Sequence, residues 1–433
     1  MQWSNALSTE PSLEAALRQV VKEACSRLEA AQFQAALVGQ MQGSLSFEGL
    51  PNVLYAPAGS IKPDLAVLFV SAGFASEFPR VLPLLQSWLD VKVLVGCSGG
   101  GIVGGNHEIE DDQPAVSLSL AVMPGVNLHP FYLESDQLPD MDASPQTWQQ
   151  VIGVDASRDP DFIVLADGFT SNVTDLLQGL DFAYPQAVKV GGLASGARTP
   201  GGNALFLVTD GSPGLLYREG AIGLALWGNV VVDAVVAQGC RPIGKPLQVT
   251  ESQRNVILSL EEDPPLQVLQ NLVSHLSGAD QALVRHSLFI GVLMDEFKNT
   301  PEPGDFLIRV IMGVDPRLGA VAIGDRIRAG QTVQFHLRDA ATSELDLRSV
   351  LERYRDRAMP RGGSSSGALM FSCLGRGEQL YDEPNFDSSV FREIVGELPM
   401  GGFFCNGEIG PVGRTTFLHG YTSSFAIFRS AED

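Results

Sequence analysis

One spacing in this chain brings together residues that could do chemistry. G-x-x-x-x-G closes an apolar run three times, at Gly96 to Gly101, Gly191 to Gly196 and Gly402 to Gly407. Loops without Cβ atoms let backbone N–H groups close on a ligand and hold a carboxylate without spending a positive side chain. Two of the loops contain thiols, Cys97 and Cys405, which amide dipoles could activate as nucleophiles. Ser98 and Asn406 sit beside them, and Glu408 follows the last glycine. Its carboxylate would suit a ligand ammonium or guanidinium, with capping of nearby amides as the plainer alternative. By loop spacing the sibling positions are Ile102 and Ala197, so packing alone does not call for an acid there.

Other chemistries fit less well. Gly99, Gly101 and Gly104 satisfy G-x-G-x-x-G after a strand, but the chain runs on into an acidic stretch and Pro114 rather than opening a helix, so a dinucleotide site is not expected. No glycine loop continues into the Lys-Ser/Thr of a P-loop. His107, Glu108, Glu110, Asp111 and Asp112 could hold a divalent ion, but no second cluster supports them, and a solvated acidic loop suffices. Thiol catalysis would need a base such as His419, and the second copy carries Gly192 and Ala194 where the thiols would stand. Arg338 with Asp339, and Arg309 with Asp315, read as internal ion pairs.

These loops need elements to position them, and those elements repeat. An apolar run, a helical pattern and a second apolar run ending in the glycine loop occur at Leu65 to Val95, Phe162 to Val190 and Ala368 to Met400, each followed by a further apolar strand. A degraded fourth copy is expected between Leu288 and Asp325, making two copies per half. Continuous apolar strands imply sheets covered on both faces. The expected fold is therefore α/β (α+β): a pseudo-symmetric two-domain protein of strand-helix-strand units in alpha-beta-beta-alpha layers, dividing near Gly239 to Pro246. Leu13, Ala16, Leu17, Val20, Val21, Ala24, Cys25 and Leu28 form one stripe of an N-terminal helix. Ala221 to Ala237 reads as two buried strands, Asp305 to Arg338 as a meander, and Gly362 to Gly367 as a flexible loop.

Composition narrows the function. Lys plus Arg 29 against Asp plus Glu 50 gives a net charge of −21, which repels phosphate backbones and anionic lipid, so neither nucleic acid nor membrane is an expected partner. Five widely spaced cysteines without C-x-x-C argue against a disulfide framework or zinc site, and Met1 to Glu10 lacks a secretory pattern, so a cytoplasmic setting is expected.

The Gly96-Cys97-Ser98-Gly99-Gly100-Gly101 loop, the stretch from Gly402 to Pro411 and Leu418-His419-Gly420 resemble the FIST family, whose N and C modules would cover residues 34–236 and 237–429. The resemblance implies a non-catalytic intracellular sensory module for a small molecule, such as an amino acid, that signals through a partner protein or an oligomer. Candidate ligand contacts are Gly96, Cys97, Ser98, Gly101, Gly191, Gly196, Gly402, Cys405, Asn406, Gly407 and Glu408. Where the family's first loop continues Glu-Ile, this chain has Ile102-Val103. Rival readings are a cysteine-dependent hydrolase, an interaction scaffold, and a haem-based gas sensor. The last follows from reports of haem in some family members and would use His129, His286 or His419; no other cofactor is expected.

Overall fold

The structure, a computed structural model, describes residues 1–42, 62–111, 113–296, 298, 300–301, 304–358 and 365–431. Gly362, Gly363 and Ser364 of the expected flexible loop, and Asp112 of the acidic stretch, lie outside the described residues.

The strand-helix-strand repeat is present three times, and each copy is larger than the sequence pattern suggested. Every unit opens with an edge strand (Gln2–Ser8, Val126–Leu133, Val231–Ala237) and a first helix (Leu13–Gln42, Pro145–Ile152, Ala340–Ala358). A central strand follows (Leu65–Ser71, Asp161–Asp167, Ser365–Cys373), then a second helix (Phe78–Gln86, Val173–Ala183, Phe386–Val395) and the glycine strand (Val93–Gly99, Lys189–Ala194, Met400–Cys405). A hairpin and a return strand (Val116–Val122, Ala221–Gly228, Ser423–Arg429) complete the unit. In each unit the glycine strand pairs parallel to the central strand, and the return strand pairs antiparallel on its other side.

The hairpins do not stay at home. The first unit's hairpin (Ile102–Gly104, His107–Ile109) extends the third unit's sheet, the second's (Leu205–Thr209, Leu215–Tyr217) extends the first, and the third's (Glu408–Val412, Thr415–His419) extends the second. Each unit thus closes the glycine-strand edge of another, and the ring of exchanges makes three six-stranded sheets.

Helices cover the outer faces, and the inner faces of all three sheets meet in one core containing Phe69, Val95, Ile163, Leu165, Phe371 and Phe403. The expected order of helices outside and sheets inside holds, with three walls around the core. All seven residues of Leu65–Ser71 are buried, which accounts for the continuous apolar runs. The N-terminal stripe lies on the first sheet with Leu13, Ala16, Leu17, Val20, Val21, Ala24 and Leu28 buried and Cys25 partly so.

The expected fourth copy is absent from its place. Leu288–Leu293, Phe306–Asp315 and Ala320–Ile323 are antiparallel strands of a closed six-stranded barrel, inserted between the edge strand and first helix of the third unit. Thr332–Leu337 pairs with Leu288–Leu293 and Arg241–Gln253 rather than continuing a meander. Antiparallel barrel strands produce apolar runs like those of the parallel repeat, and glycine turns join both, so composition alone confuses them.

Candidate functional site

The first glycine of each loop is required by strand pairing. Gly96, Gly191 and Gly402 stand opposite Leu68, Val164 and Met370, and a Cβ on them would lie 2.0, 1.8 and 2.0 Å from the facing carbonyl oxygen. These glycines belong to the sheet, not to a ligand surface.

Beyond them the loops turn toward one another. Ser195 joins all three: its hydroxyl accepts from Gly100 N at 2.8 Å and donates to Phe404 O, while its N–H donates to Ser98 O at 3.2 Å. Phe404 N donates to Gly101 O at 2.9 Å, and Asn406 N to Leu193 O at 3.2 Å. Ser98 is a joint of the same kind, its hydroxyl accepting from Ala204 N at 3.1 Å. Several loop N–H groups expected to face a ligand are therefore spent between loops. Sequence reasoning missed Ser195, whose importance comes from contacts across units.

A cavity of about 340 Å³ opens where the loops meet. The first unit lines it with Gly100, Gly101, Glu110 and Asp111, the second with Gly196, Ala197 and Arg198, and the third with Leu374, Gln379, Phe404 and Asn406. Gly196 adopts φ +90° there, with Gly100 Cα close by. Gly407 lines an adjoining cavity of about 580 Å³ that shares Leu374 and Asn406. Of the expected contacts, Gly101, Gly196 and Asn406 face the loop cavity; Gly96, Gly191, Gly402 and Ser98 hold its walls.

Cys97 and Cys405 are turned into the central apolar core and are fully buried. Desolvation pushes both thiols well above the ordinary range, the opposite of activation. Cys373 lines the adjoining cavity, but burial pushes its thiol up to about 12. The base proposed for thiol catalysis, His419, has Nε2 bonded to Gly410 O at 3.0 Å and is held down to about 4 by burial. His129 Nε2 is likewise bonded to Ile152 O at 3.0 Å, and His286 is exposed.

Glu408 does not point into the loop cavity. It is fully buried in the exchanged hairpin, opposite Gly192 and His419, and Oε2 accepts from Thr422 N at 3.1 Å and Thr422 Oγ1 at 2.8 Å. The corresponding N–H groups of the other units, on Ala115 and Gly220, are met by Ser71 Oγ and Thr170 Oγ1. Glu408 is the third unit's solution to the same orphaned donor. Oε1 has no partner, and burial raises the carboxyl to about 8 against the pull of Thr422, Arg376 and Arg338.

Pairing also corrects the sibling positions. Ile102, Leu205 and Glu408 each open a hairpin opposite the residue after a first glycine, Phe403, Cys97 and Gly192. Leu205, not Ala197, is the second unit's counterpart, because residues 197–204 are inserted before that hairpin.

The acidic stretch is only partly solvated, with His107 and Asp111 exposed but Glu108 and Glu110 drawn inward. Glu108 is buried, with Oε1 accepting from Ser388 N at 2.7 Å, and Glu110 accepts from Glu378 N at 2.9 Å. Burial, then the nearby Asp387 charge, raises Glu108 to about 8, and burial raises Glu110 as well. Together they pin the exchanged first hairpin to helices of the third unit. Among the described residues no group of three or more His, Cys, Asp or Glu is placed to hold a metal ion. The expected ion pairs are rearranged: Arg309 binds Asp325 at 2.7 Å, Asp339 binds Arg241 at 3.2 Å, and Arg338 donates to Gly375 O at 2.8 Å.

What remains available around the cavity is asymmetric. The side chains of Asp111, Arg198, Gln379 and Asn406 make no hydrogen bond or ion pair with other described residues, and Arg198 comes from the insertion peculiar to the second unit. A pseudo-symmetric backbone cradle thus presents one guanidinium, carboxylates and amides, each unit supplying something different.

Family models match most of the chain: the FIST N domain over residues 64–263 and the FIST C domain over residues 265–411. The uncharacterized protein Mb0898c of Mycobacterium bovis is 37% identical over 368 residues, 84% of this chain and 90% of its own. The uncharacterized protein Rv0628c of Mycobacterium tuberculosis is 36% identical over the same length, 84% of this chain and 91% of its own. A plant F-box/LRR-repeat protein of Arabidopsis thaliana, At5g63520, is 34% identical over 117 residues, 24% of this chain and 22% of its own. No helix among the described residues is long and apolar enough to cross a membrane.

Proposed function

Since the chain belongs to the FIST family, we propose that it is a non-catalytic sensory module binding one small zwitterion, an α-amino acid or close analogue, in the cavity where its three glycine loops meet. FIST domains are small-ligand sensory domains. The observation that carries the reading is the convergence of loops from all three units on one cavity of about 340 Å³, a size suited to a small ligand. Arg198 takes the ligand carboxylate as a charge-assisted pair, Asp111 and Glu110 take the ammonium, and Gln379 and Asn406 set orientation. No thiol lines this cavity among the described residues, which favours binding over nucleophilic chemistry. The occupied state is read by a partner protein in the cytoplasm, a setting in keeping with five free cysteines.

A thermal-shift screen against the proteinogenic L-amino acids tests this. A ligand at about 100 times its Kd stabilises the native state by about 2.7 kcal/mol. Arg198→Ala should weaken it by about 1.5 to 3 kcal/mol without changing the unliganded melting temperature. No shift from any amino acid, or equal binding by Arg198→Ala, would reject the assignment.

A further inference from the structure

The barrel carries a feature that the glycine-loop cavity does not use. Arg254, Arg326 and Arg328 surround one open concavity of about 730 Å³, completed by Ser252, Ile327 and Ala329. All three arginines are exposed, and their side chains make no hydrogen bond or ion pair with other described residues. The chain has 50 acids to 29 bases, and arginines elsewhere, such as Arg241, Arg348, Arg376 and Arg429, are tied to carboxylates. Asp325, adjacent in sequence, is committed to Arg309 at 2.7 Å.

The trio is held in place by backbone. Ile327 is 3% exposed and packs into the barrel core. Its N–H donates to Arg254 O at 2.9 Å, and its carbonyl accepts from Ser252 Oγ at 3.1 Å. With Ile327 turned inward, Arg326 and Arg328 on either side of it are exposed. Their own N–H groups are fixed by Asp325 Oδ1 and Gln331 Oε1, each at 2.7 Å. Three like charges so placed repel one another, and an anion between them relieves that repulsion.

We propose that this concavity is a second binding site, for a compact anion bearing two or more phosphate or carboxylate groups. Compactness follows from the charge balance: at physiological salt, screening over about 8 Å leaves a small anion to respond to the arginines, whereas a long polyanion also meets the field of a chain carrying −21. Arginine suits such a ligand because its planar fork pairs bidentately with either oxyanion.

The test is calorimetric titration of the full chain with inorganic tripolyphosphate, citrate, sulfate at matched ionic strength, and a hexaglutamate peptide. Tripolyphosphate or citrate should bind more tightly than sulfate, and Arg326→Ala/Arg328→Ala should weaken that binding roughly 10- to 100-fold. Tripolyphosphate preference would assign phosphate, and citrate preference would assign carboxylate. Arg198→Ala should leave this affinity unchanged, which separates the site from the glycine-loop cavity. Binding of neither small anion, binding of hexaglutamate alone, or an unchanged affinity in the double variant would overturn the proposal.

Discussion

Glu408→Gln should alter the pH dependence of stability more than stability itself. Glu408 is fully buried, its ordinary value of 4.5 is raised to about 8, and Oε1 has no partner. A carboxyl raised in the folded state keeps a proton that the unfolded chain releases, so between pH 4.5 and about 8 its contribution falls as pH rises. Above that window both states are ionised and the slope vanishes. At about 1.4 kcal/mol per unit, the full span is on the order of 5 kcal/mol. Glutamine keeps an oxygen for Thr422 N and Oγ1 but cannot ionise, at the cost of about 1 to 3 kcal/mol for an unpaired amide donor. Unfolding entropy of roughly 2.1 cal/mol/K per residue makes 1 kcal/mol worth about 1 °C for a chain of this length. Scanning calorimetry should therefore find the variant melting about 1 to 3 °C below the parent at pH 5, with the difference moving upward by about 5 °C by pH 9. A difference that stays constant with pH would show that Glu408 is ionised in the fold and refute the argument.

Two further outcomes follow from the loops. Gly402→Ala, whose Cβ would lie 2.0 Å from Met370 O, should cost more than about 3 kcal/mol or prevent folding, whereas Gly201→Ala, in open space at φ +78°, should cost about 1 kcal/mol by chemical denaturation. Cys97 and Cys405 should remain unlabelled by a maleimide at neutral pH until the chain unfolds, as read by peptide mass spectrometry; prompt labelling of either would restore a nucleophile reading.

The repeat was legible because buried parallel pairs demand apolar runs, and because a glycine must face a carbonyl at Gly96, Gly191 and Gly402. Its full extent was not. The edge strand Gln2–Ser8 and the short helix Pro145–Ile152 belong to the unit, yet their sequences share little with those of the other copies. Hairpin exchange is a tertiary event with no local signature, so Ala197 took the place that pairing gives to Leu205. The same blindness made Glu408 look like a ligand contact, since its partner Thr422 is identified only by the return of the chain. Gly101, Gly196 and Asn406 were found in the loops that do reach the cavity, while Arg198 was missed as one charged residue in an insertion.

One ligand should occupy the meeting point of the three loops, and blocking that space tests its presence there most directly. Ala197 lines the cavity and is only partly buried, so Ala197→Trp should fill it without disturbing the sheets. Calorimetric titration with the amino acid giving the largest thermal shift should find one molecule per chain in the parent and no binding in Ala197→Trp, with both unliganded proteins melting within about 2 °C. Parental affinity in Ala197→Trp, or three molecules per chain, would contradict the account.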